Sequence, residues 1–453
     1  MAQAKEDSTQ KFMCNFQQTY TTQYVAMGLP HDLGSNSAYA NGNTFYDNTT
    51  KSSLSATLFL GARLWHGAEF YLNPEIAGGQ GLGGTLGVAG YPNGEIFRVG
   101  NPAPSLYVAR LFLRQIIELS GSKVEEKGSA RDYLRADQTQ LAGFTSTKRL
   151  VFTLGKFTLA DIFDDNHYGH DPRTRLLNWS LMASGAWDYA SNTKGYTYAA
   201  VGEYISPELS LRFGTAVEPM YANGPLAPHK LMDLEVQTGN GLEYNYEIEK
   251  PFHFFNKKNS IFRTLLFFNK NRAGEYALVS HNRTDDSIYF NNASKSMNDV
   301  RQKNPDAVKY GFGLNLEQPI GPHAGMFCRY SWNDGHTESW AFAEIDNSLA
   351  LGFVFHCTAW HRYYDRITVG YANNGISKDH QAYLENGGYG FMLGDGTLNY
   401  ARENVLEVQY EWEIKRGFII SPDYQFILNP GYNRNESSLN VFGVRAHIEL
   451  YPY

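Results

Sequence analysis

The chain has no apolar run that approaches the roughly 20 consecutive residues a helix needs to cross a bilayer, so a helical membrane protein is excluded. Cysteine is scarce. Cys14, Cys328 and Cys357 are the only three, and their spacing fits no metal-ligand motif. Cys14 and Cys328 fall on the apolar phase of their segments and read as small hydrophobes. Charged residues make up only 19% of the chain and the balance is −7, which argues against a nucleic-acid partner. The opening Met1-Ala2-Gln3-Ala4-Lys5-Glu6 lacks the apolar core of a signal peptide. The reading taken is that an export signal has been removed. A nucleophile elbow, a phosphate loop and a Cys-His pair are also missing.

What is abundant is aromatic residues and glycine. Of 453 residues, 31 are Tyr, 28 are Phe and 43 are Gly, a mixture that favours strands joined by tight turns. Leu54, Ala56, Leu58, Leu60, Ala62 and Leu64 alternate with Ser53, Ser55, Thr57, Gly61 and Arg63. The pattern restarts after His66-Gly67 with Ala68, Phe70 and Leu72 against Glu69, Tyr71, Asn73 and Glu75. A period of two marks a strand with one apolar and one polar face. Here it recurs nearly to the C-terminus, through segments such as Tyr310-Phe312-Leu314-Leu316, Leu349-Leu351-Phe353-Phe355 and Phe442-Val444-Ala446-Ile448. Persistent alternation is the mark of a barrel with lipid outside and water inside. The mean hydropathy of −0.42 agrees, because the two faces cancel.

The expected fold is therefore all-β: a transmembrane antiparallel β-barrel with inward-folded loops and short helical loop inserts. We count roughly seventeen candidate strands, and a barrel with both ends on one side needs an even number, so sixteen is expected and eighteen is the alternative. One of the candidates is Leu177, Trp179, Leu181, Ala183 and Trp187 against Asn178, Ser180, Ser184 and Asp188. Residues 1–10 read as a flexible segment and 11–453 as a single barrel domain embedded in outer-membrane lipid. Loops are expected at 31–52 and 78–104, a charged loop at 161–175, and helical inserts within 272–304 and 380–390. The chain ends in Tyr453, an aromatic terminus of the kind found on outer-membrane barrels.

Phase assigns the charges. An Arg facing lipid would cost about 2–4 kcal/mol at mid-membrane depth. Arg63, Arg110, Arg114, Arg329 and Arg445 therefore point inward, as do Glu69, Glu75, Glu118, Glu243 and Glu407. Opposed charges across a narrow water-filled pore suit a neutral solute rich in hydroxyls better than a lone ion. The inward aromatics Phe59, Tyr71 and Phe327 are candidates for stacking on sugar faces. Two other chemistries fit less well. Asp161, Asp164, Asp165, His167, His170 and Asp171 cluster as if for a metal, but match no known loop spacing. Their carboxylates can instead cap turns and pair with Arg173 and Arg175. Glu69 and Glu75 lie roughly 20 Å apart along one strand, too far for a glycosidase pair.

Several motifs resemble the OprB-type carbohydrate-selective porins. They include Trp65-x-Gly67-x-Glu69-x-Tyr71-x-Asn73-Pro74-Glu75, Ala109-Arg110-x-Phe112-x-Arg114-Gln115 and Asp161-x-Phe163-Asp164-Asp165-Asn166. His170-Asp171-Pro172-Arg173-Thr174, Trp332-Asn333-Asp334-Gly335 and Tyr424-Gln425-Phe426-x-x-Asn429-Pro430-Gly431 continue the match in order along the chain. Arg175 stands where the pattern leads one to expect Gln. The resemblance implies a sixteen-stranded outer-membrane barrel that passes mono- and small oligosaccharides by diffusion, without a cofactor or an enzymatic step. It also implies loops and charges that narrow the channel, a role that would fall on Glu69, Arg110, Arg114 and Asp164. The candidate pore-lining set is completed by Arg63, Tyr71, Asn73, Glu75, Asn166, Asp171 and Arg173. The expected assembly is a monomer or a homotrimer. Two other readings are a barrel enzyme with a metal in the acidic loop and a soluble β-rich sugar-binding protein.

Overall fold

The computed structural model describes residues 9–27, 50–82, 87–96, 103–119, 131–192, 194–218, 241–254, 257–281, 306–339, 344–388, 390, 392–394 and 397–450. The strands are β1 (Phe12–Met27), β2 (Thr50–Trp65), β3 (Ala68–Gly79), β4 (Ser105–Glu118), β5 (Arg131–Leu134), β6 (Gly143–Ser146), β7 (Arg149–Phe157), β8 (Thr197–Ile205) and β9 (Ser210–Val217). They continue as β10 (Leu242–Phe254), β11 (Lys257–Asn271), β12 (Ala307–Pro319), β13 (Ala324–Asn333), β14 (Asn347–His356), β15 (Arg366–Gly375), β16 (Glu403–Lys415), β17 (Phe418–Leu428) and β18 (Leu439–Leu450). Sixteen of these close into one antiparallel barrel, in which β4 pairs directly with β7 and β18 returns to β1. Strands β5 and β6 form a separate two-stranded sheet. Thus sixteen is the barrel number, and eighteen is reached only by counting this hairpin.

The alternation works as a wall. Along β2, inward Ser53, Ser55, Thr57 and Phe59 are buried while their neighbours are more exposed. Leu154, Tyr246, Leu266, Phe353 and Phe442 stand exposed on the outer face, where lipid would cover them. Cys14 and Cys328 are on this outer phase, and Cys357 is buried. The barrel ends differ. One end carries short turns such as His66-Gly67 and Arg416-Gly417, with both glycines at φ +75°. The other carries long connections, and the described residues of two of them, 87–96 and 158–192, turn back into the lumen. Long loops on the outer side and short turns on the periplasmic side are the rule for such barrels.

The Leu177–Trp187 stretch is not a strand, which corrects the expectation above. It lies within the 158–196 loop and contributes one helical turn, α1 (Trp179–Met182). Its alternation has another cause. The segment is buried inside the barrel, where its polar groups bond to carboxylates of the wall and of the loop itself, and Leu181 packs on Gly370 of β15. The Leu177 and Asn178 amides donate to Glu407, and Ser184 donates to Asp164. The two-residue period is less regular in two barrel strands, β11 and β17. Leu265 and Phe267 put large apolar groups on the inward phase of β11, and Pro422 interrupts β17, so the two-residue period is blurred.

The short helices α2 (Tyr276–His281) and α3 (Lys378–Glu385) fall where inserts are expected. Ser377 caps α3 by accepting the His380 amide, and Gly387 follows at φ +86°. The expected 31–52 loop lies outside the described residues up to 49, and Thr50–Ser52 already belong to β2. Most of the expected flexible segment, 1–8, and the terminal Tyr453 also lie outside them.

Phe327 of β13 shows how wall and loop are packed. Its ring is fully buried between Gly352 of β14 and Gly169 of the 158–196 loop, with the Arg329 guanidinium 5.4 Å from its centroid. A Cβ at Gly352 would lie 2.0 Å from the ring, and one at Gly169 only 2.9 Å from it. The Gly352→Ala variant is therefore expected to lose about 1–3 kcal/mol of stability through overpacking. Its folded band on a detergent gel should convert to the unfolded band at a lower temperature than that of the wild type.

Candidate functional site

The site is built where the two inward loops meet β2, β3 and β4. Together they enclose a cavity of about 680 Å³ in the lumen. Arg110 of β4 reaches into it and binds Asp161 through two parallel hydrogen bonds, Nε and Nη2, both 2.6 Å. The same guanidinium lies 5.3 Å from the centroid of Tyr196. Such a fork fixes both partners in orientation as well as in charge.

Arg173, on the 158–196 loop, joins three elements. Its Nε donates to Glu95 of the 80–104 loop at 2.7 Å, its Nη2 to Glu75 of β3 at 3.0 Å and its Nη1 to Thr57 of β2 at 3.2 Å. Glu75 also accepts from Thr57 at 2.5 Å, from Tyr196 at 3.0 Å and from Tyr107. Burial raises the Glu95 carboxyl above its ordinary range, against the pull of Arg173. Asp171 behaves in the opposite way. Burial works against its charge, but Arg173 and a hydrogen bond from the Arg173 amide outweigh it and hold the carboxyl below the ordinary range. Asp171 sits at φ +70° and also accepts from Thr174 at 2.9 Å, so the turn that carries Arg173 is tied to itself.

Arg114 is treated differently. It donates to the Thr139 carbonyl at 2.8 Å and lies 5.4 Å from the ring centroids of both Tyr71 and Phe112. Part of the cavity lining is aromatic. Tyr91 stacks on Trp179 at 5.4 Å, and Trp179 on Tyr189 at 6.4 Å. All three line the cavity. The cavity is thus bordered by both charged groups and aromatic rings, the combination that suits a polyhydroxylated ring.

The eleven candidate residues separate into three groups. Glu75, Arg110, Arg114, Asp171 and Arg173 converge on this cavity. Arg63 and Glu69 pair at 3.0 Å and line a different cavity of about 640 Å³ at the short-turn end. Tyr71, Asn73, Asp164 and Asn166 are buried and line neither. Tyr71 donates to Glu69, and burial holds its ring away from solvent. Asp164 and Asn166 pin the loop to the far wall through Asn315, at 2.8 and 2.6 Å. Phe59 and Phe327 are fully buried, so neither presents a face to a solute.

The acidic loop does not gather its side chains: Asp161 turns to Arg110, Asp164 to Ser184 and Asp171 to Thr174. Among the described residues, no three His, Cys, Asp or Glu converge as metal ligands. Sequence reasoning missed Tyr91, Trp179, Tyr189, Tyr107 and Tyr196. Tyr107 near the start of β4 and Tyr196 just before β8 stand off the phase of the inward residues that follow them, and the other three lie in loops, where no period reveals which way a ring points.

A family profile described as carbohydrate-selective porin, OprB family, matches residues 44–450. The fold is similar to the high-pH structure of Pseudomonas putida OprB, with a TM-score of 0.69 and 15% identity over 97% of this chain and 94% of that one. It is also similar to the outer membrane channel DcaP of Acinetobacter baumannii, with a TM-score of 0.50 and 10% identity over 97% of each chain. No protein with a curated description matches the sequence. The structural likenesses agree with a closed porin barrel, and the family match spans nearly the whole chain. The protein belongs to the OprB family of carbohydrate-selective porins and is a passive carbohydrate channel of the bacterial outer membrane.

Proposed function

We propose that sugars cross through the 680 Å³ cavity and that Glu75, Arg110, Arg114, Asp171 and Arg173 form its selective wall. The observation that carries this reading is the pairing of charge. Arg110 is matched by Asp161, and Arg173 by Glu75 and Glu95. A wall of paired charges presents many donors and acceptors but little net field. A sugar can exchange its water for these groups one hydroxyl at a time, whereas an ion finds most of the charge already compensated. Tyr91, Trp179 and Tyr189 supply the ring faces.

The reading includes no catalytic step and no cofactor. It takes the assembly to be a monomer or a homotrimer, which the mass of the detergent-solubilised protein distinguishes.

Liposomes that contain the protein should swell in glucose and in small oligosaccharides faster than protein-free vesicles. Equal rates would remove the function. Combining Arg110→Ala with Arg114→Ala should lower the ratio of monosaccharide to disaccharide rates by about twofold and move the reversal potential toward cations. Unchanged rates and an unchanged potential would take both arginines out of the selective wall.

A second test concerns the loop that carries Arg173. Asp164→Ala removes the acceptor for the Ser184 amide, the Ser184 hydroxyl and the Asn315 side chain. Loss of such buried hydrogen bonds costs about 1–3 kcal/mol each. Single-channel recordings of this variant should show a larger and noisier conductance with the barrel intact on gels. A steady wild-type trace would mean that Asp164 does not hold the loop.

A further inference from the structure

At the periplasmic end of the barrel, the connection between β4 and β7 includes the β5–β6 hairpin. After β5 the chain makes a tight turn, Asp137–Gln140, closed by a bridge between those two residues. This turn does not hang below the barrel. Asp137, Gln138, Thr139 and Gln140 all line the same 680 Å³ cavity as Arg110 and Arg173.

The turn is held from one side only. The Asn15 amide donates to the Asp137 carbonyl at 3.4 Å, and Gln138 donates to Gln17 at 2.9 Å. Arg114 donates to the Thr139 carbonyl at 2.8 Å, and the Leu141 amide donates to the Tyr71 hydroxyl at 3.0 Å. These tethers come from β1, β3 and β4, which leaves the other side of the turn facing the lumen. Gln140 lines both the main cavity and the 640 Å³ cavity beneath the hairpin, so the turn is the partition between them. The second cavity reaches His66 and Gly67 in the β2–β3 turn at the periplasmic rim.

We propose that the Asp137–Gln140 turn is a second narrowing of the pore, at its periplasmic exit, and that Gln138 and Thr139 contact the departing sugar. Beside the Asp137 carboxyl, Gln138, Thr139 and Gln140 present amide and hydroxyl groups that suit the hydroxyls of a polyol. Its tethers make it a fixed wall. Arg114 then has two jobs, since its guanidinium both lines the cavity and holds the turn by its backbone. The idea rests on the 680 Å³ cavity being the sugar path, so the test separates the two claims.

Two single-cysteine positions are compared in planar bilayers with a small charged thiol reagent: Thr139→Cys at the turn and Thr174→Cys on the 158–196 loop. The Thr139 side chain carries none of the tethers, because Arg114 binds its carbonyl. The wild type, with Cys14 and Cys328 on the outer face and Cys357 buried, is the control and should not respond. Modification at both positions should cut single-channel current to roughly half or less, and glucose should slow both reactions. A block at Thr174→Cys with no effect at Thr139→Cys overturns the exit narrowing and leaves the path intact. No block at either position overturns the path itself. Trimming the turn by Gln138→Ala with Thr139→Ala gives a readout free of reagent. Disaccharide swelling rates should rise by roughly twofold or more relative to glucose, and an unchanged ratio contradicts the proposal.

Discussion

The structure depends on one interaction, repeated around the lumen: a buried carboxylate on the barrel wall accepts backbone N–H groups from a loop. Glu403 takes the amides of Ala89, Gly90 and Gly431 at 2.9, 2.7 and 2.9 Å. Glu407 takes those of Leu177 and Asn178, Glu247 that of Asp164, and Glu243 that of Ala190. Wall arginines do the converse. Arg329 donates to the carbonyls of Gly169 and Leu181, and Arg445 to those of Pro172 and Arg175. A loop folded into a barrel carries backbone groups that its own local structure leaves unpaired, and each costs free energy if it stays so. Carboxyl and guanidinium side chains on the wall satisfy them, each offering more than one acceptor or donor.

That constraint explains why the pore charges come in two kinds. Arg329, Arg445, Glu243 and Glu407 share the inward phase with Arg110, Arg114 and Glu75. The first set is spent on loop backbone and is fully buried. The second borders open space. Where loops fill the lumen, charge anchors them. Where they leave a gap, charge pairs across it, and what remains is a neutral, donor-rich passage beside a stack of aromatic rings. Selectivity for hydroxyl-rich solutes follows from the same device that keeps the loops in place.

The wall was legible in the sequence and the lumen was only partly so. The two-residue period in Ser53–Leu64 and Phe442–Ile448 reports a strand whose faces meet different solvents, and it placed Arg110, Arg114, Arg329 and Arg445 on the inward face but did not name Arg263 of β11. It failed at Leu177–Trp187, because a segment buried in a polar-walled lumen also alternates, with carboxylates rather than water on its polar side. It could not say that Phe59 and Tyr71 lie away from the main cavity while Tyr91 and Trp179 border it, since loop packing decides that. Nor could it separate Arg110 from Arg329, which have equal phase and opposite neighbours. The Asp137–Gln140 turn carried no period at all.

The account makes the lumen a passage in which sugar replaces water on a paired-charge wall. The most direct measurement is single-channel current in a planar bilayer as glucose is added. A sugar in the cavity displaces the ions and water that carry current. The account predicts a saturable drop in current with added fast noise, whichever side receives the sugar. A current that falls only as the bulk conductivity of the solution falls would contradict it.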